Sequence, residues 1–169
     1  MTPSPNHGRY LAIYLNDHLA GAAGGLELAR RLRASNSGDP EMGEPLARIC
    51  AEIEADRETL ARLVERLGIR RDPVKPALAR LAERVGRLKP NGHLRGYSPL
   101  SRVLELEILA SGIGGKLQLW NALEQTFGDS LEGFDFHALA ERADRQGQAV
   151  EDLHIAAAKR AFPARPQSR

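Results

Sequence analysis

Apolar residues recur along this chain at intervals of three and four, and no stretch alternates for long enough to compete as a strand. That period gathers apolar side chains on one face of each of a series of helices, so the chain predicts an all-α fold. A first helix is expected from about Gly8 to Ala34, with Leu11, Leu15, Leu19, Ala22, Leu26 and Ala29 on one stripe and the breakers Ser35, Asn36, Ser37 and Gly38 behind it. Its middle, Ala20 to Gly25, is made only of Ala and Gly. Each interior glycine costs roughly 1 kcal/mol relative to alanine, and close approach of a neighbouring helix is the expected compensation.

A second helix starts near Asp39 and Pro40, or a turn later at Glu44 and Pro45, and stops at Gly68. Leu46, Ile49, Ile53, Leu60, Leu63 and Leu67 form its stripe, and where another apolar residue is due the chain has Asp56 and Arg57. Asp72 and Pro73 open a shorter helix to about Arg87, whose apolar side carries Val74, Leu78, Leu81, Val85 and Leu88. Ser98 and Pro99 cap the next long helix, with Val103, Leu106, Ala110, Ile113, Leu117, Trp120 and Phe127 on its stripe and Gly128 at its end. Asp135 caps the last, which buries Leu139, Ala143, Val150, Leu153, Ala157 and Ala161 and closes at Phe162 and Pro163.

Short loops join the first helix to the second and the third to the fourth, so each pair predicts an antiparallel hairpin. Residues 69–97 can instead travel the length of the molecule, which lets the second and third long helices run parallel. The expectation is one domain over residues 1–169: a four-helix bundle of up-down-down-up order at about 8–162, with a short helix in its long crossover and disordered ends at 1–7 and 163–169.

Charge sharpens this picture. The net charge is only +2, yet residues 70–95 carry +6 and residues 159–169 carry +4, which leaves −8 for the remainder: an acidic body with two basic segments. The single cysteine, Cys50, excludes an intramolecular disulfide and a thiolate-rich zinc site, and it reads as a small buried hydrophobe. The apolar run Tyr10 to Leu15 is too short for a secretory or membrane-spanning segment, so a cytoplasmic protein without a membrane partner is expected.

Candidate chemistry lies on the long helices. Glu27 on the first, Glu54-Ala-Asp-Arg57 on the second, Glu107 on the third and Glu151-Asp-Leu-His154 on the fourth follow an order that resembles the di-iron pattern of the ferritin-like superfamily. That pattern is Glu, Glu-x-x-His, Glu and Glu-x-x-His. Tyr14 to His18 also looks like the start of the first helix in bacterioferritin-type chains, and the resemblance to the ferritin-like superfamily extends over about residues 8–162. It implies a ferritin-like bundle with Glu27, Glu54, Glu107, Glu151 and His154 around two metal ions. The departure is Arg57, which stands where a histidine ligand belongs and cannot ligate because it stays protonated.

Loop positions set Glu107 level with His154, whereas Glu27 and Glu54 are offset by about a helical turn and Glu52 matches Glu27 better in height. Arg57 is expected to pair with Glu54, Asp56 or Glu27, or to reach out of the bundle. The reading is therefore a ferritin-like bundle with a degenerate or absent di-metal site and no cofactor, iron or another divalent metal being the alternative. A carboxylate-bridged di-iron protein acting on oxygen or peroxide is the enzymatic rival. A second rival is a helical interaction module that meets an acidic partner or nucleic acid through Arg80, Arg84 and Arg87, which share one helix face. Those arginines have no interleaved aromatics, so they read as a solvated face and nucleic acid is not the expected partner. A homodimer is, from the Ala/Gly patch and the uneven charge. Gly112, Gly114 and Gly115 match no phosphate loop and suggest tight packing or a bend. No nucleophile–histidine signature is present, and His7, His93 and His137 lack ligand-spaced partners.

Overall fold

The computed structural model describes residues 6–71 and 97–163, and they form four long helices: α1 (Asn6–Ser35), α2 (Gly43–Arg66), α3 (Pro99–Phe127) and α4 (Phe136–Ala161). The caps act where the sequence sets them. Ser98 Oγ accepts the amide of Ser101 at 3.0 Å, with Pro99 in the first turn of α3, and Asp135 accepts the amide of Ala138 at 2.9 Å to open α4. Gly128 ends α3 at a φ of +47°, a region that favours glycine, and a single 3₁₀ turn, Gly128–Ser130, follows.

Of the two expected starts of α2 the structure takes the later one, the helix beginning at Gly43, one residue before Glu44. The Asp39 side chain accepts the amides of Glu41 (3.0 Å) and Met42 (3.2 Å), which folds residues 39–42 into a turn of their own and delays the helix to Gly43. A side chain at 43 would crowd the preceding loop, since a Cβ there would stand 3.1 Å from the carbonyl oxygen of Ser37.

Contacts at the two ends establish the topology. At one end, Arg160 near the end of α4 binds Asp39 in the α1–α2 loop, and the Tyr97 hydroxyl, just before α3, reaches Asn36 after α1 and Glu105 on α3. At the other, Leu15 and Leu19 of α1, Leu63 of α2, Trp120 and Leu123 of α3 and Phe136 of α4 share one apolar cluster. Thus α1 and α4 run one way and α2 and α3 the other, so the second and third long helices are parallel, in up-down-down-up order. The chain leaves α2 at one end and re-enters at the opposite one. The short helix expected at 73–87 and the row Arg80, Arg84 and Arg87 lie outside the described residues, as do 1–5 and 164–169.

The core has two apolar halves. One gathers Leu32, Met42, Leu46, Val103, Leu106 and Ala157, among others, and the second is the cluster around Trp120. Between them, at mid-height, lies a layer of polar side chains.

Candidate functional site

Asp56 is the hub of that layer. Its carboxylate is 2% exposed and receives four hydrogen bonds: from Lys116 Nζ at 2.5 Å, from Arg142 Nε at 2.8 Å and Nη2, and from Gln146 Nε2 at 3.2 Å. Gln146 also donates to Glu52 at 2.9 Å and accepts from Lys116 through its carbonyl oxygen. α2 thus supplies two carboxylates, α3 and α4 supply one cation each, and the formal charges cancel. A buried carboxylate needs this many donors, since an unpaired charge in the interior would cost several kcal/mol. Burial pulls the Lys116 ammonium below the usual lysine range, and the attraction of Asp56 works against that shift.

α1 contributes no hydrogen-bonding side chain to this layer. In its quadrant the molecule has space: a cleft of about 670 Å³ bounded by α1, α2 and α3. Counting from the Arg31–Glu105 bridge along these antiparallel helices, Gly25 is level with Ser111 and Gly21 with Gly115, so small residues face one another across it. A Cβ added at Gly21, Gly25, Gly112 or Gly115 would meet nothing within 4 Å. At these four positions the expected close helix packing is not seen among the described residues, while Gly24 beside them is buried. Among the described residues they border open volume.

The rest of the wall is mostly apolar, with Leu28, Ile53, Leu60, Ile108, Ile113 and Trp120. Its polar members are Asp17, His18, Asp56, Arg57, Ser111 and Lys116. Burial holds the His18 imidazole below its usual range, with the charge of Asp17 pulling the other way, and the ring packs edge-on against Tyr14 at 4.5 Å between centroids. Trp120 is fully buried, and its indole N–H has no acceptor among the described residues.

The residues singled out as metal ligands are placed as follows. Glu107 and His154 do meet, 3.1 Å apart, at the height their numbering implies. They sit at an outer seam of α3 and α4, where the Glu107 side chain is half exposed and Glu151 is exposed beside a groove that His154 also lines. Glu27 is exposed on α1, and Glu54 is held by Arg30 at 2.5 Å. Among the described residues no three His, Cys, Asp or Glu side chains gather at one point, so this donor set does not fit a two-metal centre. Arg57 pairs with none of the carboxylates expected for it, because Asp56 is taken by Lys116 and Arg142 and Glu54 by Arg30.

A second polar cluster ties the loop end of the bundle together. Glu105, 2% exposed, accepts from Arg31 and from the Tyr97 hydroxyl, whose pKa burial pushes up to about 12. Cys50 is buried as expected, and burial pushes its thiol pKa up. His137, read as a surface histidine, lies on the surface between Glu124 (3.3 Å) and Glu141 (3.4 Å).

Lys116, Arg142 and Gln146 were not picked out from the sequence. One signal was available. The stripe of the fourth helix skips from Ala143 to Val150, and the missing turn is Gln146, the counterpart of the gap at Asp56. Together these features define an all-α four-helix bundle with an internal ion network and a glycine-lined lateral cleft. Comparison with protein-family models, curated proteins and solved structures finds no match to the chain. No described helix is long and apolar enough to cross a membrane.

Proposed function

We propose that this chain is a ferritin-like bundle that binds a small molecule in the cleft between α1 and α3, with a self-neutral ion network in place of a di-metal layer. The observation that carries the reading is the set of four cleft-lining glycines with free space at every Cβ position. Interior glycines weaken a helix by roughly 1 kcal/mol each, no described packing contact at these positions offsets that cost, and a ligand filling the volume they leave would. A cleft of this size, with apolar walls and a few polar groups, is of the kind that holds small ligands.

The di-iron reading is weaker on chemical grounds. Lys116 and Arg142 bring two positive charges into the middle of the bundle, already balanced by Asp56 and Glu52. Two divalent ions would have to enter against that charge. A homodimer remains part of the proposal, supported by the exposed apolar face of Tyr10, Ile13 and Tyr14 on α1. Sedimentation at tens of micromolar showing only monomer would remove it.

The cleft is tested with the neutral fluorophore 1-aminoanthracene. We expect saturable binding of one molecule per chain, abolished in Gly25→Leu/Gly112→Leu with the helical circular dichroism unchanged. Undiminished binding in that variant would refute the assignment.

A further inference from the structure

From the charges around the cleft we infer that its ligand is an amphipathic anion, a medium-chain carboxylate whose apolar chain lies along the glycine-lined wall and whose head group meets Arg57. This inference rests on the cleft being a ligand site, as proposed above.

Arg57 stands apart from the other cations in the cleft's surroundings. Lys116 and Arg142 are committed to Asp56, Arg30 to Glu54 and Arg31 to Glu105. Arg57 lines the cleft, is half-buried, and has no hydrogen-bonded or ion-paired carboxylate among the described residues. A guanidinium in partly desolvated surroundings favours a carboxylate, which it can hold through two parallel hydrogen bonds. Of the carboxylates in the wall, Asp56 is saturated by its own donors, and Asp17 is exposed towards the start of α1. Neither supplies the missing partner.

Shape gives the second half of the argument. Along α1 the wall extends from Asp17 to Leu28, which at 1.5 Å per residue is about 16 Å, enough for a chain of about ten to twelve carbons laid parallel to the helix. The groups along it are glycine, leucine and isoleucine, with Trp120 as the aromatic wall. The buried indole N–H of Trp120 is a further donor for which the described residues offer no acceptor. An aliphatic tail with one anionic end matches the apolar wall and, among the described lining residues, the one cation not committed to a carboxylate, Arg57. A dication or a sugar matches neither.

Trp120 is the only tryptophan, so its intrinsic fluorescence reports occupancy of the cleft without a label. The experiment titrates the full chain with dodecanoate and, separately, with dodecan-1-ol below their micelle or solubility limits. We expect both to change the emission, with dodecanoate binding at least about tenfold more tightly, and Arg57→Gln to remove that preference while Arg57→Lys keeps part of it. Equal affinity of the two in the unmodified protein, or an unchanged preference in Arg57→Gln, would overturn the anion assignment and leave the cleft as a ligand site. Silence towards both ligands, together with no binding of 1-aminoanthracene, would overturn the cleft reading itself.

Discussion

Asp56 is surrounded by two cations and an amide, all on other helices, so its removal would leave charges buried without a partner rather than delete a single contact. Breaking a buried pair from one side costs about 3–5 kcal/mol. Asp56→Leu should therefore lose stability of that order in urea denaturation, and a loss below about 1 kcal/mol would mean that the layer is better solvated than its burial indicates. Asp39 offers a test through pH. Desolvation opposes it, yet hydrogen bonds from Arg160 and from the amides of Glu41 and Met42 hold its carboxyl below the usual carboxylate range. With the folded pKa below the unfolded one, this contribution is present above about pH 4 and is lost as pH falls through the folded value. Asp39→Asn should flatten the stability profile in that acid window and leave its shape above pH 5 unchanged. At this scale the sequence was only partly legible. The polar gap at residue 56 was visible because it interrupts a stripe, whereas the partners of Asp56 come from helices 60 and more residues away, and no local pattern pairs them.

At the scale of the helix, periodicity and caps placed the four long elements well, since each stripe had to face a common core and Ser98 and Asp135 had hydrogen-bonding roles that spacing alone defines. The glycines misled because a Gly-rich helix interior has two physical uses, close packing and free volume, and composition is the same for both. Free volume can be checked by small substitutions. Gly25→Ala and Gly112→Ala add a methyl group that meets nothing within 4 Å, so each should stabilise the protein by about 0.5–1 kcal/mol through helix propensity alone. Thermal or urea denaturation that instead shows destabilisation would mean that another part of the protein fills that space. For α2 the sequence left two starts open, and the structure takes the later, at Gly43. An aspartate before a proline can cap a helix or close a turn, and the side chain of Asp39 closes a turn.

For the molecule as a whole, up-down-down-up order follows from loop lengths, and the level match of Glu107 with His154 follows from the hairpin between α3 and α4. The ligand set implied by the ferritin-like resemblance does not assemble, because order along the chain constrains height but not the direction a side chain faces. Glu27, Glu107 and Glu151 face outward while Asp56, Lys116 and Gln146 face the core. Restoring the motif should therefore fail. Arg57→His, expressed in iron-supplemented medium, should hold no stoichiometric iron by elemental analysis, and two irons per chain in that variant would show that the carboxylates can turn inward.

The most direct test of the central claim, that the glycine-lined cleft beside α1 is a binding site, is a backbone-amide NMR titration of the isotopically labelled chain with dodecanoate. We expect saturable shifts concentrated at Gly21, Gly25, Gly112 and Gly115 and at the Trp120 indole N–H, with Glu27 and Glu151 unmoved. Shifts that bypass the glycines and gather instead on Tyr10, Ile13 and Tyr14 would contradict it.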